Sequence, residues 1–202
     1  MQPQTSSRTV QGERMSPEAI AQIVEAAANG DQRAWDALVH QFAGLIWAIA
    51  RAHRLDDADA ADVAQATWLR LFENLGHLRD PGHVGAWLAT TARRECLRVL
   101  RASARSLPVG DEIPDREYSG LLPGDALLAG ERDRALWCSF SRLRASDQAL
   151  LRLLVADPPP AYEEIASALD MPIGSIGPTR QRALRRLSEE LDQQGTLSLM
   201  TA

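Results

Sequence analysis

The sequence predicts an all-α fold made of two small helical domains joined by a flexible linker. Apolar residues recur every three or four positions, no alternating strand pattern interrupts them, and one stretch rich in proline and glycine separates two helical segments. Apolar residues make up 45% of the 202 residues, enough to build buried cores. We expect domains at 15–105 and 131–192, a linker at 106–130, and tails at 1–14 and 193–202.

The first domain is predicted to contain four helices with short connections. Residues that typically begin or end a helix mark them: N-caps at Ser16, Asp31 and Asp59, and terminating glycines at Gly30 and Gly76. Pro17 stands at a first helical position, which proline favours. The fourth helix is expected over about 84–104, after a turn-rich loop.

The second domain is predicted to be a further set of four short helices. Their expected ranges are 131–143, 146–155, 161–169 and 175–191. A short helix, a tight turn over 170–175 and a further helix form a helix-turn-helix pattern. Its buried seam is expected to consist of Ile165, Ala166, Leu169, Ile173, Ile176, Ala183 and Leu187.

The last of these helices is strongly basic. All 22 basic residues of the chain are arginine, and four lie here, at Arg180, Arg182, Arg185 and Arg186, with no acid between Ser175 and Leu187. Ser175 is a plausible N-cap, which would leave the positive end of the helix facing a phosphate. A charge run on a helix is usually a solvated face, but the preceding turn and seam favour DNA contact. The net charge of −5 excludes avid binding of nucleic acid by bulk attraction.

The fourth helix of the first domain carries a second cationic surface, the basic ridge. At about 100° per residue, Arg94, Arg98, Arg101 and Arg105 fall within about 60° of one another. Such a ridge suits phosphates. Trp87 lies on the ridge side, where its ring could stack on an unpaired base or could pack against the preceding loop. Cys96 is expected to face the core and to be inert.

Several function classes are not supported. The chain has no nucleotide-binding glycine loop, no nucleophile elbow and no zinc-protease motif, so we expect no enzyme and no cofactor. Two cysteines and four scattered histidines do not make a metal site or a disulfide framework. Neither a membrane span nor a secretory signal is recognisable, so we expect a cytoplasmic protein.

Three segments together resemble one known family. DAADVAQ at 59–65 is similar to a conserved segment of bacterial sigma-70 family factors of the extracytoplasmic function (ECF) group, of an actinobacterial-like kind. GAWLATTARRE at 85–95 resembles the promoter-opening helix of that family, and the segments at 162–166 and 173–176 resemble its fourth-region helix-turn-helix. The resemblance covers about 15–103 and 131–191, in the right order.

The resemblance implies a transcription initiation factor that binds RNA polymerase core and directs it to promoters. The first domain, region 2, would dock on the clamp helices of the largest subunit through Asp59, Asp62 and Gln65. It would bind and open the −10 element through Arg79, His83, Trp87, Arg94, Arg98 and Arg101, with His77 in the same loop. The second, region 4, would touch the polymerase flap and read the −35 element through Ser175, Thr179, Arg180, Arg182, Arg185 and Arg186. The resemblance also allows for an anti-sigma factor as partner.

Departures from the family pattern leave alternatives open. Ala66 stands where glutamate is common, Gly177-Pro178-Thr179 replaces a cationic segment, and Arg180 stands at a usually apolar place. Its side chain could reach a phosphate or pack its stem on the seam. Rival interpretations are a stand-alone helix-turn-helix regulator, which would need a dimer to span two half-sites, and a helical decoy without DNA function.

Overall fold

The structure, a computed structural model, describes residues 15–105 and 131–200, and side chains over 15–103 and 135–193. In these residues all regular secondary structure is helical. The eight α-helices are α1 (Pro17–Ala28), α2 (Gln32–Ala52), α3 (Asp57–Asn74), α4 (Val84–Arg105), α5 (Glu131–Ser141), α6 (Ala145–Leu154), α7 (Tyr162–Leu169) and α8 (Ile176–Met200). The predicted all-α class is confirmed; the expected tail at 1–14 and linker at 106–130 lie outside the described residues.

Local capping explains where the helices begin. The Ser16 hydroxyl accepts a hydrogen bond from the N–H of Ala19, and Asp31 accepts from Arg33, as predicted. Gly30 adopts a φ of 90°, which disfavours any other residue. The predicted cap at Asp59 is wrong, because Asp56 caps α3 by accepting from the N–H of Asp59 at 2.9 Å.

The displaced cap follows from packing. Several acids in the segment could cap a helix, and local propensity does not choose between them. Leu55 and Ala60 are both buried, which fixes how the chain enters α3. Asp59 then lies in the first turn, where its charge favours the helix dipole.

Helices α1 to α4 form the first unit, with α2 at its centre. Leu38, Ile46 and Ile49 on α2 are fully buried, and Leu71 of α3 and Leu88 of α4 pack into the same core. Two short 3-10 turns at Leu75–His77 and Pro81–His83 connect α3 to α4. The second turn lies against α1, which holds the loop before α4 in place.

Helices α5 to α8 form the second unit. Here α7, the turn after it and α8 give the predicted helix-turn-helix, with Ile165, Ile176 and Ala183 buried. Ile173 was expected in the seam, but 49% of its surface is exposed because it lies in a 3-10 turn outside the packed face. Helix α8 is also longer than predicted and reaches Met200.

The two units pack directly on each other, through a joint that we define as α2 and α4 against α6 and α7. The most extensive contact between any two elements of the described chain is that of α4 with α7. One continuous hydrophobic core contains Leu88 and Ala92 of the first unit together with Leu150, Leu153 and Ile165 of the second. The sequence predicted two domains joined by a flexible linker, and it did not predict that they share a core.

Among the described residues, no helix combines the length and the apolar character that a membrane crossing requires.

Candidate nucleic-acid and protein interfaces

The basic ridge of α4 faces solvent. Arg94, Arg98 and Arg101 are exposed, whereas Cys96 on the opposite side of the helix is buried, and burial raises the pKa of its thiol to about 12. This geometry agrees with the predicted orientation of the helix. The side chain of Arg105, the fourth predicted member, lies outside the described residues.

A buried carboxylate organises part of this ridge. Glu95 is only 4% exposed, and its two oxygens lie 2.7 Å from the guanidinium groups of Arg70 and Arg98. Burial disfavours ionisation of Glu95, but the hydrogen bond from Arg98 and the charge of Arg70 outweigh it and lower the pKa. Arg98 is therefore held in position and partly neutralised, while Arg94 and Arg101 provide the outward charge of the ridge.

The loop before α4 exposes the other predicted DNA-contacting groups. Arg79, His77 and His83 are exposed, and the imidazole Nδ1 of His83 lies 2.9 Å from Asp80. The hydrogen bond to Asp80 raises the pKa of His83, which favours its cationic form. Trp87 is half-buried and packs against the hydrophobic core.

The recognition helix α8 presents three exposed arginines, Arg180, Arg182 and Arg185. Arg182 donates to the hydroxyl of Thr179 at 3.0 Å, so these two predicted base-contacting residues already form one unit. Arg185 lies 3.8 Å from Glu189, a loose exposed pair. Gly177 and Pro178 fall in the first turn, where proline is tolerated.

Two residues predicted to contact the −35 element have structural partners instead. The guanidinium of Arg186 forms an ion pair with Asp147 of α6, whose side chain is 4% exposed. Ser175 was expected to cap α8; its hydroxyl donates to the carbonyl of Pro172 and thereby stabilises the 3-10 turn before the helix. Arg186 thus fastens α8 to α6.

A different surface lies on α3. Asp62 and Gln65 are both exposed, as predicted, and Asp59 is half-buried one turn earlier. Leu69 and Phe72 continue the same face and are 57% and 67% exposed. The Phe72 ring packs edge-on against Trp35 with centroids 5.8 Å apart. This polar-apolar strip is defined here as the α3 face.

Sequence reasoning missed the apolar half of the α3 face, because apolar residues at helical spacing ordinarily indicate a buried stripe. The helical period contains the signal: at about 100° per residue, positions 62, 65, 69 and 72 fall within about 80° of one another. An acid and an amide on that arc indicate solvent, so apolar residues on the same arc are exposed. Exposed apolar residues beside polar ones are typical of a protein-interaction surface.

Fold and surfaces together define a helical protein with a basic helix on each of two units and a separate exposed polar-apolar strip, the α3 face. Residues 38–106 match the family model described as Sigma-70 region 2. The RNA polymerase sigma-H factor of Pseudomonas aeruginosa is 27% identical over 193 residues, covering 88% of this chain and 96% of that protein. The ECF RNA polymerase sigma-E factor of Escherichia coli K12 is 26% identical over 167 residues, covering 76% and 84%.

A solved structure shares the fold. CnrH, determined in complex with the cytosolic domain of CnrY, superposes with a TM-score of 0.59 at 19% identity, over 86% of this chain and 97% of that one. Together the comparisons support membership of the sigma-70 family, in its ECF group. The function is that of a transcription initiation factor.

Proposed function

We propose that this chain binds RNA polymerase core through its first unit and directs the enzyme to promoters through the two basic helices. One observation supports this most: each unit exposes its own arginine-bearing helix, while the whole molecule carries a net charge of −5. Such a chain binds DNA weakly alone. It binds well once a large partner holds both helices on one duplex, because the second contact becomes intramolecular.

The α3 face is the proposed contact with the clamp helices of the largest polymerase subunit. Asp62 and Gln65 supply polar contacts, and Leu69 and Phe72 supply apolar area that is desolvated on binding. Trp35 behind Phe72 holds that ring in place and reduces the entropy lost on binding. Asp59, half-buried in the first turn, acts at the edge of this surface. The flap contact is assigned to the second unit.

The promoter contacts are divided between the units. For the −10 element we propose Arg79, His83, Trp87, Arg94, Arg98 and Arg101. For the −35 duplex we propose Thr179, Arg180, Arg182 and Arg185, with Ser175 and Arg186 positioning α8. In this scheme phosphate contacts set the register, and Thr179 with Arg182 reads bases.

Three further assignments belong to this proposal. The chain acts in the cytoplasm and performs no catalysis itself. It belongs to an actinobacterial-like subgroup, and the support is that all its basic residues are arginine, a bias that a GC-rich genome produces. CnrH was determined in complex with the cytosolic domain of CnrY, and we propose that this chain binds an anti-sigma factor. We propose the domain bounds 15–105 and 131–192, with α8 continuing beyond the second domain to Met200.

Run-off transcription tests the proposal. The purified chain is mixed with core polymerase and genomic fragments, and the start sites are mapped. Discrete starts that depend on the chain, together with its co-elution with core in gel filtration, are the expected result. A chain that binds promoter fragments equally well without polymerase would instead be a stand-alone regulator, and the proposal would fail.

A further inference from the structure

Helix α1 supplies none of the DNA and polymerase contacts proposed above. It packs on α2 and on the 3-10 turn at Pro81–His83, the last turn of the loop before α4. Val24 is fully buried, and Ile20 and Ile23 pack against the same hydrophobic core. Burial of these three side chains fixes α1 on the first unit, so its first turn lies at a defined position beside the loop.

The contact between α1 and the loop is closest at one glycine. Gly82 lies against the backbone of Pro17, the first residue of α1. A Cβ on Gly82 would lie 2.8 Å from the carbonyl oxygen of Pro17 and 3.2 Å from both its carbonyl carbon and its Cβ. These atoms belong to helical backbone and to a proline ring, so they cannot turn aside as the end of a flexible side chain does. Only glycine therefore lets the loop approach α1 so closely.

The neighbours of Gly82 include groups proposed to meet the −10 element. His83 follows directly, and its imidazole Nδ1 lies 2.9 Å from the Oδ2 of Asp80. The backbone N–H of His83 also donates to the carbonyl of Asp80 at 3.1 Å, which closes a tight turn around Pro81 and Gly82. Val84, immediately after this turn, is fully buried and begins α4. A displacement of Gly82 therefore moves His83 with it.

The two sides of this turn have different surroundings. Arg79, Asp80 and His83 are exposed to solvent, whereas Gly82 is half-buried against α1. Hydrogen bonds weaken steeply outside a narrow range of distance and angle, so the readout of a base by this loop depends on where the turn is held. A loop that is already fixed also loses less entropy when it binds.

We propose that α1 positions the loop that reads the −10 element, and that Gly82 is the positioning residue through which it does so. This inference rests on the proposed function. Gly82 has no side chain to offer to DNA, and it acts through the place that it gives to Arg79 and His83. A side chain at position 82 should therefore impair base selection at the −10 element, and should leave polymerase binding and −35 recognition intact.

Two variants disturb this contact from opposite sides. Gly82→Ala places a methyl group against the first residue of α1, and its control is Gly76→Ala in the same loop, where a Cβ would have no described atom within 4 Å. Ser16→Ala removes the N-cap of α1 and loosens its first turn. Its control is Asp31→Ala, which removes the N-cap of α2 instead.

Run-off transcription separates positioning from folding when it compares a promoter that the wild-type chain uses with copies that carry single base changes in the −10 or the −35 element. The wild type should discriminate against a changed −10 base by about 5-fold or more, as is usual for a base that is read. In Gly82→Ala we expect that discrimination to fall to about 2-fold or less, with −35 discrimination and co-elution with core unchanged. Ser16→Ala should change in the same direction by a smaller amount, and both controls should keep the discrimination of the wild type.

A simple loss of folded protein would lower transcription from every template by the same factor, would leave the ratios unchanged, and would be visible by circular dichroism. Unchanged ratios in Gly82→Ala, or an equal change in Gly76→Ala, would overturn the positioning role of Gly82. If Gly82→Ala does not fold, the comparison of Ser16→Ala with Asp31→Ala provides the same test. A wild-type chain that gives no start sites dependent on core polymerase and on the −10 sequence would instead overturn the proposed function.

Discussion

The imidazole of His53, at the end of α2, lies beside the backbone carbonyl of Ala168 in α7, so that a histidine of the first unit lies against a helix of the second. Its Nε2 atom is buried and has no hydrogen-bond partner within the described part of the chain. The pKa of His53 is lowered, first by burial and further by the charge of Arg93, against the opposing effect of the Ala168 carbonyl. The joint therefore prefers the neutral imidazole.

Acidification should weaken the joint. Because the pKa of His53 is lower in the folded chain, where the joint is formed, than its ordinary value of 6.5, a chain that is unfolded or has its units separated binds the proton more readily. The stability that the neutral imidazole contributes is complete above pH 6.5 and is lost as the pH falls below it. We expect the radius of gyration to rise, and the melting temperature to fall, between pH 7.5 and pH 5.5.

His53→Gln supplies the control for this prediction, because an amide keeps a hydrogen-bond donor beside the Ala168 carbonyl and does not titrate. The exposed His83 titrates in the opposite sense, since its pKa is raised, so His83→Gln should leave the acid-induced loosening in place. If His53→Gln expands on acidification as much as the wild type, the effect belongs to another group.

The α3 face should carry most of the affinity for polymerase core. Changing Leu69 and Phe72 together to serine removes two apolar side chains that are exposed in the free chain, so stability should change little. We expect the affinity for core, measured by fluorescence anisotropy or biolayer interferometry, to fall by about tenfold or more. Val155→Ser, at an 80% exposed apolar position on the second unit, is the matched control and should bind normally.

Adjacent arginines on α8 should separate stability from DNA recognition. Arg186→Ala leaves the carboxylate of Asp147 buried without its ion-pair partner, so the free energy of unfolding should fall by about 2 kcal/mol in urea titrations. Arg185→Ala removes an exposed, loosely paired side chain and should leave stability within about 0.5 kcal/mol while weakening −35-dependent transcription. Equal stabilities for the two variants would contradict the structural role of Arg186.

Much of the architecture was accessible from the sequence because local signals were strong and agreed with one another. Ser16, Asp31 and the apolar periodicity of α2 placed the first two helices, and the helical period placed Asp62, Gln65, Arg94 and Arg101 on exposed faces. The cap at Asp56 was missed because neighbouring acids cap equally well, and only the burial of Leu55 selects one.

The joint was beyond sequence reasoning for a different reason. The ion pair between Arg93 of α4 and Asp170 at the end of α7 joins residues that are 77 positions apart in the sequence, and neither carries a local pattern that indicates its partner. In the sequence, small residues of α4 such as Ala89 and Ala92 resemble ordinary helix formers. Their role in packing against α7 depends on a surface that the other unit supplies. Arg186 was assigned to DNA on the same grounds as Arg185, because a period of 3.6 residues does not reveal a buried acid on α6.

Promoter opening should depend on the outward arginines of the basic ridge more than polymerase binding does. Arg94→Ala combined with Arg101→Ala removes two exposed charges, and leaves Arg98 in its pair with Glu95. Each phosphate contact is worth about 1 kcal/mol or less at moderate salt, so the double variant should lower open-complex formation by about tenfold. Permanganate footprinting of the −10 region measures the opening, and co-elution with core measures the assembly. Arg33→Glu changes the net charge by the same amount on an exposed turn of α2, where an acid suits the start of the helix, and should open promoters normally. Equal losses of opening and assembly in the double variant would contradict a selective role of the ridge in opening. An equal opening defect in Arg33→Glu would show that overall charge governs opening, and the ridge would lose its assigned role.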